Sequence, residues 1–166
     1  MNNQTHRENI EKLRDLIKDI DIAMLTTVDD DGSLRSRPMG TQETEFDGDL
    51  WFFTSVDTPK VDEIQAEHEV NVSYAKPGKN RYVSVSGTAV LVNDRAKMEE
   101  LWSPIYKAYF PGGLDDPNLR LLKVDVRKAE YWDSPGGLIP TIIGFAQSLA
   151  GKEADMGDNQ KLQLGD

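Results

Sequence analysis

The chain has 166 residues, no cysteine and a formal net charge of -10, from 29 acidic and 19 basic residues. That length favours one domain with its own core, and the lack of cysteine excludes disulfides, thiolate nucleophiles and iron–sulfur clusters. The negative field repels phosphate backbones, which argues against nucleic-acid binding and makes any local cluster of Arg and Lys informative.

The N-terminal stretch MNNQTHRENIEKL is polar and holds no apolar signal region. No segment reaches the roughly 18 apolar residues of a membrane span, so a soluble, cytoplasmic protein with no membrane partner is expected. Ile10, Leu13, Ile17 and Ile20 recur at helical spacing and predict a helix over residues 5–20. Thr5 and Glu8 have the form of a capping box for it. Its expected role is a lid on a sheet.

Short strands follow. Ala23–Val28 is a β-rich run, and Asp29-Asp30-Asp31-Gly32 is turn chemistry. Leu34–Thr41 comes next, then Phe46-Asp47-Gly48-Asp49, whose Asp-Gly is a hairpin signal, then Leu50–Thr54. This predicts a three-stranded antiparallel meander with the second strand beside the third. Thr58 can cap a short helix that starts at Pro59 and runs to about His68.

Val70–Ala75 reads as a fourth strand and Tyr82–Asn93 as a long fifth, with Gly87 marking a bulge or barrel corner. Asp94 can cap a helix from Arg95 to about Tyr109, which Pro111-Gly112-Gly113 ends. Leu121–Trp132 is a sixth strand, and Leu138–Leu149 a last helix. The fold class expected is mainly β (α+β): a six-stranded antiparallel Greek-key split barrel with flanking helices. A parallel sheet would need a crossover after nearly every strand, and the first three strands have none. Residues 1–150 form the single domain, and 151–166 a polar, loosely held tail.

Two segments carry chemistry. In Arg35-Ser36-Arg37-Pro38-Met39, strand alternation sends both guanidiniums to one face, where they repel unless an anion or carboxylates sit between them. Pro38 removes a donor and points to an edge or an irregular strand. In Phe53-Thr54-Ser55-Val56-Asp57-Thr58-Pro59-Lys60 a strand ends in hydroxyls just before a helix start, which is a phosphate cradle in outline. The competing reading is a solvated edge strand and ordinary turn and cap residues. Taken together, Arg37 and Lys60 can converge on one phosphate beside Thr54. No metal is expected, since His6 and His68 have no partner at ligand spacing.

The pieces RSRPM, LWFFTS followed by TPKVDEI, NVSYAKPGKNRYVSVSGTA, and LWSPIYKAYFPGGLDDPNLRLLKVDVRKAEYWDSPGG occur in this order. In them the chain resembles the pyridoxamine phosphate oxidase-like FMN-binding split barrels, within them the general stress protein branch, over roughly residues 8–137. The resemblance implies FMN, with FAD the second candidate, at the interface of a homodimer. It implies phosphate contacts from Arg37 and Lys60, assisted by Thr54, Ser55, Arg35 and Thr58. It implies Ser36, Pro38 and Met39 along the isoalloxazine edge, with main-chain groups reading the ring. Phe53 would line the ring or ribityl chain, and Trp102 and Trp132 would reach the flavin from the other subunit.

The expected function is that of an FMN-binding general stress protein and flavin-dependent oxidoreductase, its catalytic residues and substrate unassigned. A flavin-binding sensor or buffer without turnover is the alternative, and a heme or coenzyme F420 relative the third reading. True pyridoxamine phosphate oxidases carry a C-terminal arginine that grips the substrate phosphate. This chain has no arginine after Arg127, so vitamin B6 oxidation is not expected.

Overall fold

A computed structural model of the chain describes residues 3–42, 46–134 and 158–165. In chain order the elements are helix α1 (Asn3–Ile17), strands β1 (Ile22–Val28), β2 (Leu34–Gly40) and β3 (Asp49–Ser55), and helix α2 (Pro59–Ala66). Then come β4 (Glu69–Lys76), β5 (Arg81–Val92), helix α3 (Arg95–Leu101), β6 (Leu119–Asp133) and β7 (Asp158–Gln163). The strands form one sheet in the order β2-β1-β4-β5-β6-β3, with β7 also paired to β6. Every pair is antiparallel, and the sheet curls into a half-barrel, as the split-barrel reading requires.

The six expected strands are present, but the meander is not. β1 and β2 form the expected hairpin, closed by Gly32 N–H to the Asp29 carbonyl at 2.8 Å, with Gly32 at φ 81°. β3 instead crosses to the far edge and pairs with β6, from Asp49 opposite Asp125 to Ser55 opposite Leu119. The Asp47-Gly48 turn signal is overridden because the Gly48 carbonyl accepts from Val126 N–H at 3.2 Å and opens the β6 ladder. There β3 is covered on both faces: Leu50 and Phe52 enter the main core while Phe53 enters a second one. Burying such side chains contributes roughly 1.5–3 kcal/mol each, well above the preference of a local turn.

α1 covers the barrel as a lid, sinking Leu13, Leu16 and Ile17, with Ile20 just beyond its end, into the core that holds Leu25, Val72, Val85 and Val124. The helix begins at Asn3, so Thr5 lies inside its first turn and is not the N-cap. α3 ends at Leu101, and the rest of the predicted helix is a separate 3-10 turn, Pro104–Ala108. Pro104 disfavours helical backbone at Ser103 and cannot donate to the turn before it. The second core forms beneath, where Phe53 meets the Trp102 ring edge-on, centroids 5.3 Å apart at 87°.

Asp94 caps α3 as expected, its Oδ1 accepting from Lys97 N–H at 3.1 Å. Asp94→Ala is expected to cost about 1 kcal/mol of stability, read as a shift in the urea midpoint. The expected polar tail is corrected in part by β7. It pairs with Lys128–Asp133, while Leu162 and Leu164 enter the main core and Asn9 Nδ2 donates to the Gln163 carbonyl at 2.7 Å. The helix expected over Leu138–Leu149 lies outside the described residues.

Candidate functional site

β2 is the end strand of the sheet path, as Pro38 forecast. Its side chains alternate against β1. Arg35 and Arg37 stand opposite the buried Thr27 and Leu25, whereas Ser36 and Pro38 stand opposite Thr26 and Met24 on the outer face. Met39 follows the inward set into the core. The two guanidiniums therefore share one face, as strand period requires.

Between them lies a carboxylate. Glu63 of α2 is only 3 % exposed. Its Oε2 accepts from Arg37 Nη2 at 2.6 Å and from the Thr27 hydroxyl. Arg37 Nη1 donates to the same Thr27 hydroxyl oxygen, and Arg35 Nη1 reaches Glu63 Oε1 at 3.3 Å. Because arginine only donates, the single Thr27 hydrogen must go to Glu63, so the ring of three residues has one polarity. The Arg37 side chain is 18 % exposed and that of Arg35 54 %, with Asp29 Oδ2 3.6 Å from the latter at the rim.

Burial pushes the Glu63 carboxyl up, but the bonds from Thr27 and Arg37 and the charges of Arg37 and Arg35 outweigh it and leave it below its ordinary value. Lys60, one turn before Glu63 on α2, is held below its ordinary value by burial and then by the charge of Arg37, with Glu63 partly offsetting both. Its Nζ donates to Thr58 Oγ1 at 3.1 Å. Thr58 occupies the N-cap position of α2 but does not cap it. Its hydroxyl donates to the Ser55 carbonyl at 3.0 Å, which leaves the amide end of α2 without that side-chain acceptor.

The structure thus brings together Arg35, Arg37, Thr58 and Lys60, through α2 rather than through the expected β2–β3 pairing. Thr54 is buried at the end of β3, its hydroxyl giving a long 3.5 Å bond to the Ser55 carbonyl. Ser55 Oγ accepts a 3.5 Å contact from Asp57 N–H. Phe53 and Trp102 are packed on each other in the second core. Trp132 is exposed on the outer face, opposite Tyr82.

Sequence reasoning missed Glu63 and Thr27. The signals were present: Glu63 sits three residues after Lys60 among the buried Val61 and Ile64, and Thr27 continues the inward set of Ala23 and Leu25.

This arrangement fits a phosphate. Three cations surround one buried carboxylate in a chain of net charge -10, and Arg37 has N–H donors beyond those given to Glu63 and Thr27. Among the described residues, no helix is long and apolar enough to cross a membrane.

Comparison with known proteins identifies the family. Residues 8–155 match the family model described as pyridoxamine 5'-phosphate oxidase like. The chain is 32% identical over 143 residues to the protein bli-3 of Neurospora crassa, covering 80% of this chain and 68% of that one. It is similar to the general stress FMN/FAD binding protein of Xanthomonas citri, with 32% identity, 80% of this chain and 94% of that chain covered, and a TM-score of 0.67. A general stress protein 26 from a Jannaschia species superposes with a TM-score of 0.74 at 26% identity, covering 95% of this chain and 99% of that one. By family match, identity and fold, this chain belongs to the pyridoxamine 5'-phosphate oxidase-like family.

Proposed function

We propose that the chain binds FMN by its terminal phosphate at the Arg37–Lys60 corner and acts as a flavin-dependent oxidoreductase of the general stress type. The observation that carries this reading is the convergence of Arg35, Arg37 and Lys60 around Glu63. Arg37, Arg35, Lys60 and Thr58 would hold the phosphate, with Thr54 and Ser55 completing the turn into α2. Each hydrogen bond to the charged group contributes roughly 1.5–3 kcal/mol. The main chain of β2 at Ser36, Pro38 and Met39 would read the polar edge of the ring, since this strand pairs with β1 alone among the described residues. When bound, the flavin supplies the hydride and electron chemistry, and the protein supplies binding and orientation. The similar Xanthomonas citri protein, an FMN/FAD binding protein, supports the choice of ligand class.

The same reading includes a homodimer. Ile22, Met24 and Leu34 are exposed on the outer face of β1 and β2, and Tyr82 and Trp132 stand opposite one another on that face of β5 and β6. An apolar set of this kind across neighbouring strands marks an interaction surface. Trp132 would reach a partner's flavin from there.

The test is a titration of purified protein with FMN and with riboflavin, followed by absorbance, together with sedimentation. The expected result is a dimer that takes up FMN at least about tenfold more tightly than riboflavin. A protein that takes up no FMN overturns the ligand, and a monomer that holds FMN tightly overturns the dimer. Reduction of bound flavin by NAD(P)H with a set of acceptors separates turnover from storage. Mass spectrometry of the released cofactor separates FMN from FAD.

A further inference from the structure

We infer that Glu63 is a positioning residue that fixes the Arg37 guanidinium, so that its remaining N–H edge meets a phosphate in one orientation; this rests on the phosphate reading above. Glu63 itself is too deeply buried to touch a ligand, whereas Arg37 retains some exposure. The contact is therefore indirect. Long arginine side chains lose rotamer freedom when they bind, and an arginine already ordered loses less at that moment.

The geometry accounts for the ordering. Glu63 Oε2 and the Thr27 hydroxyl take two different nitrogens of the guanidinium, which fixes both its position and its plane. Thr27 is itself locked, because its one hydrogen is given to Glu63. Glu63 sits on the same short helix as Lys60, three residues on, so the element that supplies one cation also orients the other. Arg35 is a looser second beneficiary, at 3.3 Å and mostly exposed.

A bare carboxylate near a phosphate also repels it, and the two effects predict opposite results on substitution. In Glu63→Gln the amide oxygen can still accept from both Arg37 and Thr27, so orientation survives without the charge. In Glu63→Ala both acceptors are lost. The experiment measures FMN and riboflavin affinities side by side for the wild type, Glu63→Gln, Glu63→Ala and Thr27→Val, with circular dichroism and urea midpoints for each. The ratio of the two affinities isolates the phosphate contribution from any general loosening of the fold.

The expected result is a ratio that falls by about tenfold in Glu63→Ala, by about threefold or more in Thr27→Val, and is kept or raised in Glu63→Gln. A ratio unchanged or raised in Glu63→Ala overturns the inference, as does an equal fall in Glu63→Ala and Glu63→Gln. If Glu63→Ala does not fold, Thr27→Val, which keeps the side-chain shape, decides: an unchanged ratio there overturns the inference. A wild type that shows no preference for FMN over riboflavin instead fails the phosphate reading itself.

Discussion

Arg37→Ala is expected to lose flavin affinity and fold stability together. The affinity for FMN should fall at least about tenfold, because the best-ordered cation of the phosphate site is gone. Stability should fall by about 3 kcal/mol, the low end of the cost of breaking a buried ion pair, since Arg35 and Thr27 still touch Glu63. The pH dependence identifies the cause. In the wild type the Glu63 carboxyl lies below its ordinary 4.5, so its contribution to stability is present above that pH and is lost as pH falls through the depressed value.

In Arg37→Ala the bond and charge of Arg37 that lower the carboxyl are gone while burial stays, so the carboxyl should rise from its wild-type position. The stability that the ionised carboxylate contributes should shrink accordingly, so the variant loses most at the pH where the group is ionised. Urea midpoints measured from about pH 4 to about pH 8 should diverge most at the upper end. The double variant Arg37→Ala/Glu63→Gln should recover part of the lost stability at neutral pH, because a neutral amide tolerates burial better than a carboxylate that has lost its main cation. Equal stability of wild type and Arg37→Ala across the range would show that Glu63 does not depend on Arg37.

Gly87→Ala should cost at least about 3 kcal/mol, despite adding one methyl group. The new Cβ would lie 2.1 Å from the Asp125 carbonyl oxygen, and backbone cannot swing aside as a side chain can. Gly87 stands where the β5–β6 register shifts, between Ser86 opposite Lys128 and Gly87 opposite Val126. The extra residue is Arg127 on β6, so the shift keeps Val124 and Val126 on one side of it and Ala129 and Tyr131 on the other facing the same core. Gly78→Ala is the control. Its Cβ would meet nothing within 4 Å, so the expected change is within about 0.5 kcal/mol. Matching urea midpoints for the two variants would refute the close approach of β5 to β6.

Much of the fold was legible because its signals are local. α1 declared itself by apolar spacing, β1 and β2 by the Asp-Gly turn between them, α3 by Asp94, and the bulge by Gly87 in an otherwise regular strand. The partner of β3 was not legible. A turn signal says that the chain bends, not which strand it meets afterwards, and burial of β3 on both faces decided for β6. β7 escaped notice because its exposed residues read as a polar tail, with little but Leu162 and the adjoining Leu164 facing the core.

The phosphate corner divides in the same way. The residue types, the shared face of Arg35 and Arg37 and their need for a counter-charge follow from the sequence, since strand alternation and like-charge repulsion operate locally. Only the tertiary structure decided what supplies that charge and how Lys60 arrives. The expected β2–β3 pairing is replaced by β3 with β6; α2 instead packs Val61 and Ile64 inward and carries Glu63 between the two arginines. Glu63 lies between the inward Val61 and Ile64 along α2 and is buried with them. That acid is tolerated there because two guanidiniums and a hydroxyl, distant in sequence, meet it in the folded chain.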